Sequence, residues 1–258
     1  MKAIRSTIIS PIASRLKTLK NYLFFIILFL TASYSVYFIF DREFVSRLVV
    51  EDGLFEYLTA IFFLTASIVF FLSFLPNRNK CFLLLSAAMF VGAGEEISWG
   101  QRILGFSTPT NLAAVNVQKE FNFHNIELVN AAYLDHRKKE GIQKIFTVNF
   151  LYKLFWLTYG AILPATLLFF KPAERLFRKI KLPIPPLTLG IFFLINWLSY
   201  RFILVFFLED NTAYEIDEVC ECASAFLFAI LSIYFLNNPA PIRTPGPDRR
   251  DSAPAGVR

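Results

Sequence analysis

The sequence predicts an all-α polytopic transmembrane helix bundle of about six spans, and three observations carry that expectation. Hydrophobic residues make up 55% of the 258-residue chain, at a mean hydropathy of +0.50. A soluble surface of this size needs far more polar area. Phenylalanine alone supplies 31 residues, which lipid solvates and water does not. The apolar runs are also long enough to cross a hydrocarbon core of roughly 30 Å, and they lack the alternation of barrel strands. One compact bundle accounts for the length.

Six apolar segments follow in order. Residues 22–40 carry no charge. They are too long for a signal peptide core, and Asp41 follows where small residues would mark a cleavage site. Before them, residues 1–21 space Ile4, Ile8, Ile12, Leu16 and Leu19 helically among Lys and Arg, which predicts a surface-lying amphipathic helix on the cytoplasmic side. Residues 53–75 are apolar except Glu56, and 81–99 end on Glu95 and Glu96. Residues 145–170 contain Lys153 and Pro164, 187–208 contain Asn196 and Arg201, and 219–236 begin beside Glu221. The bundle thus runs over 22–236. Residues 237–258, rich in Pro and Arg, read as a disordered cytoplasmic tail.

The net charge of +6 would raise nucleic acid as a partner for a soluble chain. Here the basic residues flank apolar runs, so anionic lipid headgroups and topology explain them. Sixteen Lys and Arg lie on the side of both termini, with the 76–80 and 171–186 connections, and eight on the other. The positive-inside rule then puts both termini in the cytoplasm of a multi-pass cell (inner) membrane protein. The weak point is the long 100–144 connection, which holds six positives outside. Three cysteines, Cys81, Cys220 and Cys222, form no disulfide framework.

That topology gathers chemistry at the extracytoplasmic end. Glu51 and Glu56 enter the second span there, and Glu95 and Glu96 leave the third. Glu209, Asp210, Glu215, Asp217, Glu218 and Glu221 surround the turn before the sixth. Lys153 and Arg201 lie ~12 and ~10 Å inside their spans by the helical rise. Ionisable groups at that depth cost at least ~2.5 kcal/mol on insertion scales, so they pair or line a polar cavity. Glu56 and Glu221 are the expected partners of Arg201, and Glu221 that of Lys153.

Two motifs are dense in polar residues. In GEEISWGQR, residues 94–102, adjacent carboxylates repel, Gly94 and Gly100 permit close backbone approach, and Gln101 and Arg102 supply donors. In NVQKEFNFHNIEL, residues 116–128, a helix would put Glu120, His124 and Glu127 on one face, suited to a divalent metal or a proton relay. Asn116, Gln118, Asn122 and Asn125 add amides. Glu95, Glu96, His124 and Arg102 are the expected catalytic set. Glu96, His124, Glu120 and Glu218 are the expected ligands of any divalent metal. The apolar Phe121, Phe123, Ile126 and Leu128 predict that this stretch is an interfacial segment, lying in the membrane interface or dipping between helices.

GEEISWGQR, with EDGLFEY upstream and NVQKEFNFHN downstream, resembles the pattern of an uncharacterised family of bacterial polytopic membrane proteins, a resemblance that implies a helical bundle and no particular activity. GEEISW also resembles the first motif of the CAAX-protease and bacteriocin-processing intramembrane glutamic proteases. That likeness implies that Glu95 and Glu96 match a catalytic Glu pair and Arg102 its arginine, at a displaced spacing. The family's next motif has Phe four residues before His, where this chain has Glu120 before His124, and no His follows His136.

Three function classes follow. The first is a membrane-embedded hydrolase or transferase on a lipid-linked or membrane peptide substrate. Glu95 or Glu96 would be its general base, His124 its proton shuttle or metal ligand, and Arg102 or Arg201 an oxyanion or phosphate clamp. The second is an ion-coupled transporter, and the third a non-catalytic assembly or scaffold protein. No P-loop, dinucleotide motif or nucleophile elbow is present.

Overall fold

The computed structural model describes residues 2–50, 53–206 and 213–238. Glu51, Asp52, Glu209, Asp210 and most of the 237–258 tail lie outside these, as do the side chains of residues 2–19 and of Glu215. The chain is all-α: among the described residues there is no strand, only two isolated bridges, Asn116 with Ile126 and Ala132 with Lys138. Five helices are long and apolar enough to cross a membrane, or six if one bent pair counts as a span.

α1 runs Lys2–Ile39. The amphipathic segment and the first span are thus continuous in one helix, since basic and apolar residues continue a helix alike. A short α2, Arg42–Val49, is capped by Asp41 Oδ1, which accepts from Phe44 N at 2.8 Å. α3, Leu54–Asn77, and α4, Lys80–Glu96, form an antiparallel pair. Ser67 Oγ donates to Ser86 O and Ser86 Oγ to Ser67 O, each at 2.9 Å. Small polar residues thus let the two backbones approach inside an apolar medium.

Beyond α4 come two short helices, α5, Gln101–Leu104, and α6, Thr110–Ala113. α7, Val148–Leu157, passes through a wider π turn at Thr158–Ile162 into α8, Leu163–Phe169. α9, Lys171–Lys179, precedes α10, Leu187–Phe206, and α11, Ala213–Asn237.

α11 is the central helix. Of its apolar window 67% is buried, against 22–39% for the other spans. Ile216, Val219, Leu227, Phe228 and Leu231 are at most 2% exposed and fill the core. Buried polar groups along it are paired. Asn196 Nδ2 donates to Cys220 O at 3.0 Å, and Tyr34 Oη donates to Asn196 Oδ1 at 2.6 Å, fastening α1, α10 and α11 together.

Side-chain contacts define the two ends of the bundle. At one end Asn79 Nδ2 donates to Lys181 O at 2.7 Å and Asn237 Nδ2 to Tyr22 Oη at 2.9 Å. At the other, Asn149 Nδ2 donates to Glu221 Oε1 at 3.0 Å and Lys153 Nζ to Asp217 Oδ1 at 2.6 Å. The second end carries Glu56, Glu95, Glu96 and the whole 97–147 connection.

Candidate functional site

The helix expected over 81–99 stops at Glu96. Ser98, Trp99 and Gly100 take positive φ values of 45°, 53° and 78°, and the chain bends by 67° between α4 and α5. Three left-handed residues in succession turn the backbone out of the helix at once, and two of them are non-glycine, a costly arrangement. Tertiary contacts hold it. Trp99 folds back on α4, where Nε1 donates to Glu95 Oε1 at 2.6 Å and the ring meets Phe90 edge-on. A Cβ at position 94 would stand 2.9 Å from that ring, so Gly94 is required for the fold-back.

Residues 116–128 do not form the helix that would put Glu120, His124 and Glu127 on one face. Asn116 Oδ1 accepts from Gln118 N and Glu120 N, and Asn116 Nδ2 donates to Asn122 O and Oδ1, both at 3.0 Å. Val117 N donates to Asn125 O and Glu127 N to Val115 O, closing an antiparallel turn. Short amide side chains that bond nearby backbone outcompete the helix. The helical face of Glu120, His124 and Glu127 is therefore corrected. Glu127 instead accepts from Leu134 N at 3.0 Å, away from His124.

The two motifs clasp each other. Glu95 Oε2 accepts from Phe123 N at 2.7 Å and His124 N at 2.8 Å, with His124 Nδ1 at 3.3 Å. Gln101 Oε1 accepts from Phe121 N at 2.7 Å. Ser98 Oγ donates to Glu120 Oε2 at 2.7 Å, Asn122 Nδ2 donates to the same oxygen at 2.9 Å, and Arg102 pairs with Glu120 Oε1. Of the expected catalytic residues, Glu95, Arg102 and His124 are thus engaged in holding the connection. Glu120, an expected metal ligand, is engaged with them.

Glu96 differs. Its carboxyl has no hydrogen-bond partner among the described residues and keeps partial exposure. Within electrostatic range stand Glu221, Glu218, Glu56 and Glu95, from α11, α3 and α4. Tyr152 of α7 is in range of Glu96 and Glu221, and its hydroxyl lies 2.6 Å from Ser224 Oγ. His124 is in range of Glu56 and Glu221. Its link is to Glu95, not Glu96.

The cations are few. Lys153 pairs with Asp217 and covers the Tyr200 ring at 4.8 Å, so Glu221 is its neighbour and Asp217 its partner. Asp217 was the partner that spacing missed, though it lies one turn before Glu221 on the same helix. The expected pairing of Arg201 with Glu56 or Glu221 is also corrected: Arg201 is exposed and has no ion pair among the described residues. A long side chain near a span end reaches the interface and keeps its charge in water. Glu51 lies outside the described residues. Asn116 and Gln118 bond within the clasp and not to the carboxylates. Among the described residues, no three His, Cys, Asp or Glu side chains are grouped to hold a metal ion. Glu96, His124, Glu120 and Glu218 are accordingly divided between the clasp and the carboxylate cluster.

No family model, curated protein or solved structure matches this chain.

Proposed function

We propose that this integral membrane protein binds a cation, in the simplest case a proton, at a carboxylate site centred on Glu96 at its extracytoplasmic end. The observation that carries this reading is Glu96 itself. It is the one carboxyl of GEEISWGQR that the clasp does not use, and four other carboxyls lie within its electrostatic range, while Lys153, in range of Glu221, is committed to Asp217. Carboxylates that outnumber their cations in a low-dielectric space attract positive charge. Ion coupling fits the arrangement better than phosphate or oxyanion chemistry, because Arg102 is paired with Glu120 and Arg201 is exposed.

The orientation rests on the basic residues, sixteen on the side of the termini. Three of the six positives in the long connection are used internally: Arg102 by Glu120, Arg137 by Asp135, and Lys139 by the carbonyls of Glu127 and Leu128. This supports cytoplasmic termini in an inner membrane.

A membrane-embedded hydrolase or transferase acting on a lipid-linked or membrane peptide substrate is the second reading. The partly exposed His124 held on Glu95 favours it, since that pair is an acid–base couple beside an unengaged carboxyl.

Infrared difference spectra of the protein in liposomes, taken across a pH titration, test the first reading. Wild type is expected to show a carboxylic acid C=O band that Glu96→Gln abolishes. Identical spectra for the two would overturn it. Loss of turnover of a fluorogenic membrane peptide in both Glu96→Gln and His124→Ala would establish the second reading instead.

A further inference from the structure

The connection between α4 and α7 leaves large apolar side chains uncovered. Leu104 is 75% exposed, Phe123 60%, Leu128 81%, Ile142 72% and Phe146 63%. Isolated exposed apolar residues need no account, but five large ones in one connection at one end of a bundle do. Hydrogen bonds fix where these lie. Phe123 N is bound to the last turn of α4 through Glu95, and Gln101 ties α5 to Phe121. Val148 N donates to Val129 O at 2.8 Å, which brings Leu128 to the first residue of α7, two residues beyond Phe146. Leu104, Phe123, Leu128 and Phe146 are therefore held near the ends of spans, and Ile142 lies in the short turn of helix that leads into α7.

Span ends sit where the hydrocarbon gives way to headgroups. The spans themselves carry an exposed apolar belt up to this end, with Phe90 of α4 52% exposed. We infer that the 97–147 connection lies on the bilayer, with Leu104, Phe123, Leu128, Ile142 and Phe146 immersed in the lipid interface of the outer leaflet. The occupant of this surface is lipid of the host membrane, not a second copy or another protein. The immersed residues differ from those the apolar pattern of 116–128 marks, because Phe121 and Ile126 turn partly inward. Burial of such side chains at an interface follows apolar area, and each large side chain contributes on the order of 1 kcal/mol or more. This inference is independent of the Glu96 site.

The test uses the full chain in phosphatidylcholine nanodiscs, with an environment-sensitive fluorophore on single cysteines replacing Leu104, Leu128 or Phe146. His136, exposed in a charged turn, is the comparison position, and labelled wild type supplies the background of the native cysteines. Blue-shifted emission at the three sites, quenched several-fold more by shallow spin-labelled lipid than at position 136, is expected. Water-like, unquenched emission would overturn the inference. So would a blue shift without lipid quenching, together with cross-linking between copies. Should the variants fail to fold, hydroxyl-radical footprinting of the unmodified chain decides. Leu128 and Phe146 should be protected relative to Tyr133, and equal oxidation would count against immersion.

Discussion

His124 meets Glu95 twice: its backbone N–H donates to Oε2 at 2.8 Å, and its ring Nδ1 lies 3.3 Å from the same oxygen. Together with Phe123 N and Trp99 Nε1, this makes Glu95 the fastening point of the 97–147 connection. Its neighbour Glu96, one residue later, makes no hydrogen bond among the described residues. The two carboxylates of one motif thus differ: Glu95 fastens the connection, and Glu96 is left for the proposed cation site.

Substitution should separate them. Glu95→Ala leaves three donors without their acceptor, and unmade bonds at partly buried groups cost about 1–3 kcal/mol each. We expect a lowered Tm in detergent and rapid protease cleavage within 116–126. Glu96→Gln removes no bond and should leave Tm within about 1 °C, since a change away from any paired contact falls near zero. Equal Tm losses in the two variants would show that the division of roles is wrong.

Lys153 and Asp217 should behave as a coupled pair. Lys153→Met strands an acid at partial burial, and breaking one side of a buried pair costs about 3–5 kcal/mol before allowance for the exposure these two groups retain. Membrane accumulation is expected to fall in Lys153→Met and to recover in the double variant with Asp217→Asn. Arg201→Leu, at an exposed position, should accumulate like wild type; a large loss there would point to a partner outside the described residues.

Gly94 has no room for a side chain. Gly94→Ala sets a methyl against the Trp99 ring, and overpacking of this kind costs typically about 1–3 kcal/mol. Tryptophan emission should shift to the red as Trp99 leaves α4, and the 116–126 turn should loosen as in Glu95→Ala. Unchanged emission would mean that the break after Glu96 survives without the fold-back.

Alkaline phosphatase fusions test orientation. Fusions after Asn116 and Asn211 should be active and one after Asn77 inactive. The opposite pattern would place the Glu96 cluster at the cytoplasmic face.

Uninterrupted apolar runs determine helices and their number in a medium without water, because a backbone that cannot hydrogen-bond to solvent must satisfy itself within each span. All-α architecture, the spans and the shared end for Glu56, Glu96, Lys153 and Glu221 were therefore legible in sequence. Gly94 could also be marked as a close-approach position, which the Trp99 ring makes it, whereas Gly100 has ordinary space around it and serves instead through its φ of 78°. The 116–128 segment was not legible, because its helical spacing competes with asparagine side chains that bond locally, and only the contacts with the α4 end decide between them. Nor could sequence tell Glu95 from Glu96. They are adjacent and chemically alike, and the tertiary structure separates them because one carboxyl bonds the returning chain while the other makes no hydrogen bond among the described residues.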